Sequence, residues 1–184
     1  MRVGNVLLVL PDEYYTQIGA IIAKWATLEA QMMFIIWRAM GLENEEGRVL
    51  TVGMGTQVLC GILRNLPRKW VTDEKLKVAL SQLVKFVSDS ADSRNYLAHG
   101  MWTKYPDDPL PYLNFMKSGE HRILPGAQAV TPEQLGYFSK SLDAMNQLAA
   151  QIAHVLGGNV APPLPDTLGE QNPAGLPNQT QTEQ

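Results

Sequence analysis

A single cysteine, Cys60, in 184 residues excludes an internal disulfide framework and suits a reducing cytosol. It sits in the apolar run Val58 to Leu63, where a buried structural thiol is the expected role. Histidine is nearly as scarce. His99, His121 and His154 are scattered and no Glu-x-x-His pair occurs, so neither a zinc nor a di-iron site is expected, and no cofactor is implied. Gly53-x-Gly55 does not become a dinucleotide fingerprint, because Val58 stands where the third glycine belongs. Long apolar runs are missing too. Val6 to Leu10 is short and meets Pro11-Asp12-Glu13, and Ile18 to Met40 is interrupted by Lys24, Glu29 and Arg38. We therefore expect neither a signal peptide nor a membrane span, and a cytoplasmic chain.

Basic excess is also lacking. Of eighteen acids, Asp166, Glu170 and Glu183 fall in the stretch 159–184, which holds no base, so the preceding body balances fifteen acids against fifteen bases. A protein that holds duplex DNA by neutralising phosphates needs a basic face. A local cleft for one or two phosphates remains possible. Arg64, Arg68 and Lys69 form the one dense basic cluster, readable as a positive helix end or as an RNA contact.

The chain has the residues of an all-α domain. Ile18, Ile21, Trp25, Leu28, Met32, Ile35 and Ala39 keep three-four spacing from Pro11 and Asp12 to a terminating Gly41. Glu29 lies beside that seam, where a half-buried carboxylate wants a cation. A second helix is expected from about Arg48 to Leu66. Thr72-Asp73-Glu74 opens a third, with the seam Leu76, Leu80, Leu83, Val87, Ser90, Arg94, Leu97. Prolines and glycines then break the period through residue 126, and the segment Met101 to Val130 is expected to hold a small β-hairpin or loop excursion around Ser118-Gly119-Glu120. Thr131-Pro132-Glu133-Gln134 is a capping box for a fourth helix, whose seam runs Leu135, Phe138, Leu142, Met145, Ala149, Ile152, Leu156. These seams predict an antiparallel four-helix bundle over 1–158 and a disordered Pro/Gln/Thr-rich tail over 159–184.

One stretch carries chemistry. Arg94-Asn95-Tyr96-Leu97-Ala98-His99-Gly100 places an arginine, an amide and an imidazole on the last turns of the third helix, before a glycine expected to stop it in the manner of a C′ residue. Asn95 and His99 share one stripe, and Arg94 lies about 140° round from His99. Arginine is a fixed, always charged fork for phosphate, and imidazole can take or give a proton near neutral pH. The plainer alternatives are a helix-end histidine that caps carbonyls and an Arg94–Glu29 ion pair. Asn95 can orient His99 or donate to a phosphate oxygen. Tyr96 and Trp102 can stack on a base or simply pack.

The Arg-polar-x3-His motif on a helical chain resembles the HEPN superfamily, small all-helical domains of which several branches are metal-independent endoribonucleases, often toxins or defence proteins. Arg94, Asn95 and His99 match its motif positions, and His99-Gly100-Met101-Trp102 also resembles uncharacterised bacterial proteins of this type. Some toxin branches have tyrosine two residues after the histidine; Met101 stands there instead. The resemblance, over Pro11 to about Gly158, implies cleavage of single-stranded RNA without metal. It also implies a homodimer that brings two motifs into one cleft, and an antitoxin or nucleotidyltransferase as possible partner. Large apolar residues around the first helix, Trp25, Met33, Phe34 and Trp37, suit such an interface. The alternative is a non-catalytic homodimeric helical domain for protein association or for nucleotide or ligand binding.

Overall fold

The computed structural model describes residues 5–6, 10–66, 70–104, 108–114 and 128–158. Helix α1 spans Asp12–Met40, α2 Asn44–Thr51, α3 Thr56–Asn65, α4 Glu74–His99 and α5 Pro132–Leu156. Four short strands, β1 Asn5–Val6, β2 Met101–Lys104, β3 Pro111–Asn114 and β4 Gln128–Ala129, form one antiparallel sheet in that order. Helices dominate, so the all-α expectation holds at the level of class. The expected tail, the turn at Ser118-Gly119-Glu120, His121, Arg68 and Lys69 lie outside the described residues.

The three long helices form where the seams place them. Asp73 caps α4, its Oδ1 accepting from the Leu76 N–H at 3.1 Å. Thr131 and Gln134 exchange the two bonds of the capping box, 3.2 and 2.9 Å, with Pro132 at the first turn of α5. Gly41 ends α1 at φ 68°, a left-handed conformation that its missing Cβ permits. Gly100 does not work this way. Its backbone is extended, at φ −72° and ψ 155°, and its N–H bonds Tyr96 O at 2.7 Å, so α4 runs straight into β2 without a left-handed cap.

The core lies between α1 and its neighbours: Ile21, Trp25, Leu28, Met32, Ile35 and Ile36 of α1 are buried, as are Phe138, Leu142, Ala149 and Ile152 of α5. Contacts between these helices advance together along both. The Tyr14 hydroxyl donates to Val130 O at 2.8 Å, Lys24 Nζ meets Ser139 Oγ and Asp143 Oδ2 at 2.8 and 2.6 Å, and Arg38 donates to Ala153 O at 2.9 Å. Helices α1 and α5 are therefore parallel, which corrects the expectation of an antiparallel bundle. A seam says that a partner surface is needed, not which way the partner runs. Helix α4 runs back against them, since Trp102, just past its end, meets Tyr14 at the start of α1 with ring centroids 6.0 Å apart.

By length and composition α1 could cross a membrane. Its charges bond neighbouring helices: Lys24 and Arg38 bond α5, and the Glu29 carboxylate accepts from the Thr56 hydroxyl of α3. Trp25 and Trp37 are buried, Met33 packs against the core, and Phe34 alone of that group is exposed. The apolar surplus that suggested an interface on the first helix is thus mostly used inside the chain.

The expected helix from Arg48 to Leu66 is two helices. Gly53 takes φ 76° and Gly55 is extended, and between them the chain turns from α2 into α3. Helix α2 starts earlier than expected, capped reciprocally by Glu43 and Glu46. It is pinned to α1 by Trp37, whose indole N–H donates to Thr51 Oγ1 at 3.1 Å. Strand β1 also falls outside the Met101–Val130 segment expected to hold all the strands; two residues carry no periodicity to read.

Gly47 is where α2 touches the Trp37 ring, and a Cβ there would come within 2.3 Å of it. Gly47→Ala should lower stability by about 1 to 3 kcal/mol, as overpacking does. That corresponds to a fall of roughly 2 to 4 °C in melting temperature per kcal/mol for a chain of this size. Thermal unfolding followed by circular dichroism measures it, and an unchanged midpoint would mean that α2 is not seated on Trp37.

Candidate functional site

The end of α4 meets the sheet and the starts of α1 and α5. Its inner stripe continues from Leu83 and Val87 through Ser90, which has no exposed surface, to Leu97, 3 % exposed. Arg94 falls on that stripe and is half-buried, with its stem against the bundle. Asn95 and His99 face solvent, and Tyr96 is half-buried against the core.

Arg94 Nη1 donates to Asn95 Oδ1 at 3.0 Å. Its Nε–H is buried and has no hydrogen-bond partner among the described residues, and one turn earlier the Ser90 hydroxyl is in the same position. No carboxylate pairs with Arg94 among the described residues. The proposed Arg94–Glu29 pair is therefore absent: Glu29 takes its donor from Thr56, a residue of α3 that its own stripe on α1 could not reveal. Asn95 likewise turns to Arg94 rather than to His99. With its carbonyl oxygen held by the guanidinium, the amide presents its N–H2 group outward beside the cation. The result is a patch of donors with a fixed positive charge, suited to an oxyanion, with an exposed imidazole on the next turn.

Trp102 is not part of that patch. Only 9 % exposed, it stands edge-on to Tyr14 at 73°, so its ring is committed to tying β2 to α1 rather than stacking on a base. Tyr14 completes the tie through Val130, and burial, with Glu13 and Glu133 nearby, pushes its hydroxyl above the ordinary tyrosine range. Cys60 has no exposed surface; burial raises its thiol, and the Ser88 hydrogen bond and the Arg64 charge oppose this only in part. A buried thiol held above its usual range is no nucleophile. Among the described residues no group of three His, Cys, Asp or Glu gathers that could hold a metal ion. Ser90 is the residue that sequence reasoning passed over. Its signal was a hydroxyl on an otherwise apolar seam, one turn before the arginine.

No family model matches the chain, and comparison with curated proteins and with solved structures finds none similar to it.

Because Arg94 holds no carboxylate among the described residues, Arg94→Ala should change stability by no more than about 1 kcal/mol in either direction in a urea titration, loss of its packed stem being offset by relief of an uncompensated half-buried charge. Thr56→Val, which strips a half-buried carboxylate of its donor, should cost about 1 to 3 kcal/mol. A loss of roughly 3 to 5 kcal/mol for Arg94→Ala would instead signal a broken buried ion pair.

Proposed function

We propose that the chain is a metal-independent endoribonuclease of HEPN type, a cytoplasmic toxin or defence effector acting on single-stranded RNA. The observation that carries this reading is the Arg94 guanidinium at the end of α4, with no acid partner among the described residues and with an orphaned, buried Nε–H. A half-buried charge without a counter-charge is costly unless a ligand supplies one.

Arg94 and the Asn95 amide hold the scissile phosphate and neutralise the charge that builds on it. His99 takes the proton of the ribose 2′-hydroxyl as the 2′-oxygen attacks phosphorus. The bond to the 5′-oxygen breaks, and that oxygen leaves with a proton from the second imidazole of a dimer or from solvent. The products are a 2′,3′-cyclic phosphate and a 5′-hydroxyl. A homodimer, with the ends of the two α4 helices near the twofold axis, doubles the positive charge in one cleft; this element rests on the resemblance. A neutralising antitoxin or a nucleotidyltransferase is the partner such an activity calls for.

A second reading, a non-catalytic domain for protein association, has its own support in Val49 and Val52, 73 and 75 % exposed beside Leu50 on and after α2. The two readings part in one assay. On labelled RNA in EDTA, His99→Ala should lose a factor of about 10² to 10⁴ in rate while keeping its fold, since the residue is an exposed helix end. Equal activity in both proteins would identify a contaminant, and inactivity of both on several RNAs would favour association. Light scattering across the micromolar range should give twice the 20.4 kDa chain mass, and monomer mass throughout would remove the shared cleft.

A further inference from the structure

On the inner stripe of α4 one hydroxyl interrupts an otherwise apolar run before the arginine. Ser90 has no exposed surface, and its Oγ has no hydrogen-bond partner among the described residues. It lies one turn before Arg94, and long helical side chains lean back towards the start of their helix, so the Arg94 stem is directed over position 90. The guanidinium then has two edges in different surroundings. Its outer Nη1 donates to the exposed Asn95, whereas its Nε–H is buried. An oxyanion arriving from solvent meets the outer edge. The buried Nε–H needs an acceptor from the protein itself, and Ser90 is the one side chain within a turn on that stripe that carries one. A hydroxyl both accepts and donates: Ser90 Oγ can take the Nε–H of Arg94 while giving its own proton to the Phe86 carbonyl, one turn further back. Rotation about the Ser90 Cα–Cβ bond thus joins two orphaned donors into one chain.

We propose that Ser90 is a positioning residue for the oxyanion site: when a phosphate occupies the outer edge of Arg94, the Ser90 hydroxyl accepts from the buried Nε–H and fixes the plane of the guanidinium. The Nη edge and the Asn95 amide then face one ligand. Neutrality suits the residue to this task. A carboxylate at position 90 would satisfy the same Nε–H but cancel the charge that the phosphate answers, and an alanine would leave the guanidinium free to turn. The role rests on the reading of Arg94 as a phosphate-holding group and is independent of whether His99 cleaves what is held.

Exchange of the Arg94 Nε–H with water, followed by heteronuclear NMR on the full chain, tests the role. The probe is a single-stranded 2′-deoxy oligonucleotide, which brings phosphodiesters but no attacking hydroxyl. Saturation with it should slow that exchange in the wild type by about tenfold or more, the worth of a hydrogen bond to a charged group. Ser90→Ala, which adds no volume to the core, should lose this protection and bind the oligonucleotide about tenfold more weakly. Ser90→Thr should retain both, while Ser90→Val, equal to it in volume but without the hydroxyl, should lose both; overpacking alone would affect the two alike. Equal protection in the wild type and Ser90→Ala, or like behaviour of Ser90→Thr and Ser90→Val, would overturn the positioning role. Failure of the wild type to bind the oligonucleotide would overturn the phosphate reading and the role with it. Uncut RNA alongside protection that depends on Ser90 would remove the nuclease reading and leave the role standing.

Discussion

The parallel contact of α1 with α5 is the constraint from which the rest of the structure follows. Parallel neighbours cannot be joined by a short turn, so the chain must travel back along the bundle between them. Helix α4 makes that return. Its end and the starts of α1 and α5 then meet on one side of the molecule, and the segments entering and leaving these helices pair there as the sheet. The Arg94-to-His99 stretch lies at this junction because α4 is the returning element. Tyr14 holds the junction together by bonding Val130 and packing on Trp102, and so links α1, β2 and the approach to α5 through one side chain. Arg38 ties α1 to α5 at the far end, where its guanidinium donates to the Ala153 carbonyl in the last turn of α5 and meets the negative end of that helix's dipole.

What was legible in the sequence was local. The three-four seams of α1, α4 and α5, the Asp73 cap and the Thr131 capping box depend on residues a few positions apart, and they appear in the structure where they are read. Gly41 belongs with them. The break between α2 and α3 was not read from the sequence; in the structure Gly53 takes a left-handed φ of 76°, and Trp37 ties α2 to α1 through Thr51. Gly100 misled: a glycine after a helix suggests a left-handed cap, but pairing of the next residue, Met101, with Asn114 keeps the chain extended. Strand β1 and the parallel direction of α5 are likewise products of tertiary contact.

The candidate site divides in the same way. That Arg94, Asn95 and His99 fall on the last turns of α4 follows from helical period alone. Which side chain holds which does not. Glu29 was the natural acid for Arg94, yet α3 intervenes with the Thr56 hydroxyl, a donor that satisfies the carboxylate without a counter-charge. Trp102 has the chemistry of a stacking platform, but the buried pair it forms with Tyr14 uses the ring in the fold.

Freed from Glu29, Arg94 becomes more informative. A cation placed on an inner stripe for stability alone would be expected to hold a carboxylate, because the half-buried charge otherwise loses hydration without compensation. Here its only bond among the described residues is to the neutral Asn95 carbonyl, while the Ser90 hydroxyl one turn away is also unsatisfied. Ser90 and Arg94 lie one turn apart on the same stripe, and an alanine or leucine at either position would avoid the penalty. Water can relieve part of it where the stripe reaches the surface. An oxyanion relieves more, because it supplies the charge as well as the acceptors. Asn95, turned so that its amide donates outward, adds to the same demand. The proposed reading rests on this complementarity to an oxyanion, and in that reading the exposed His99 is the group that would separate cleavage from simple binding.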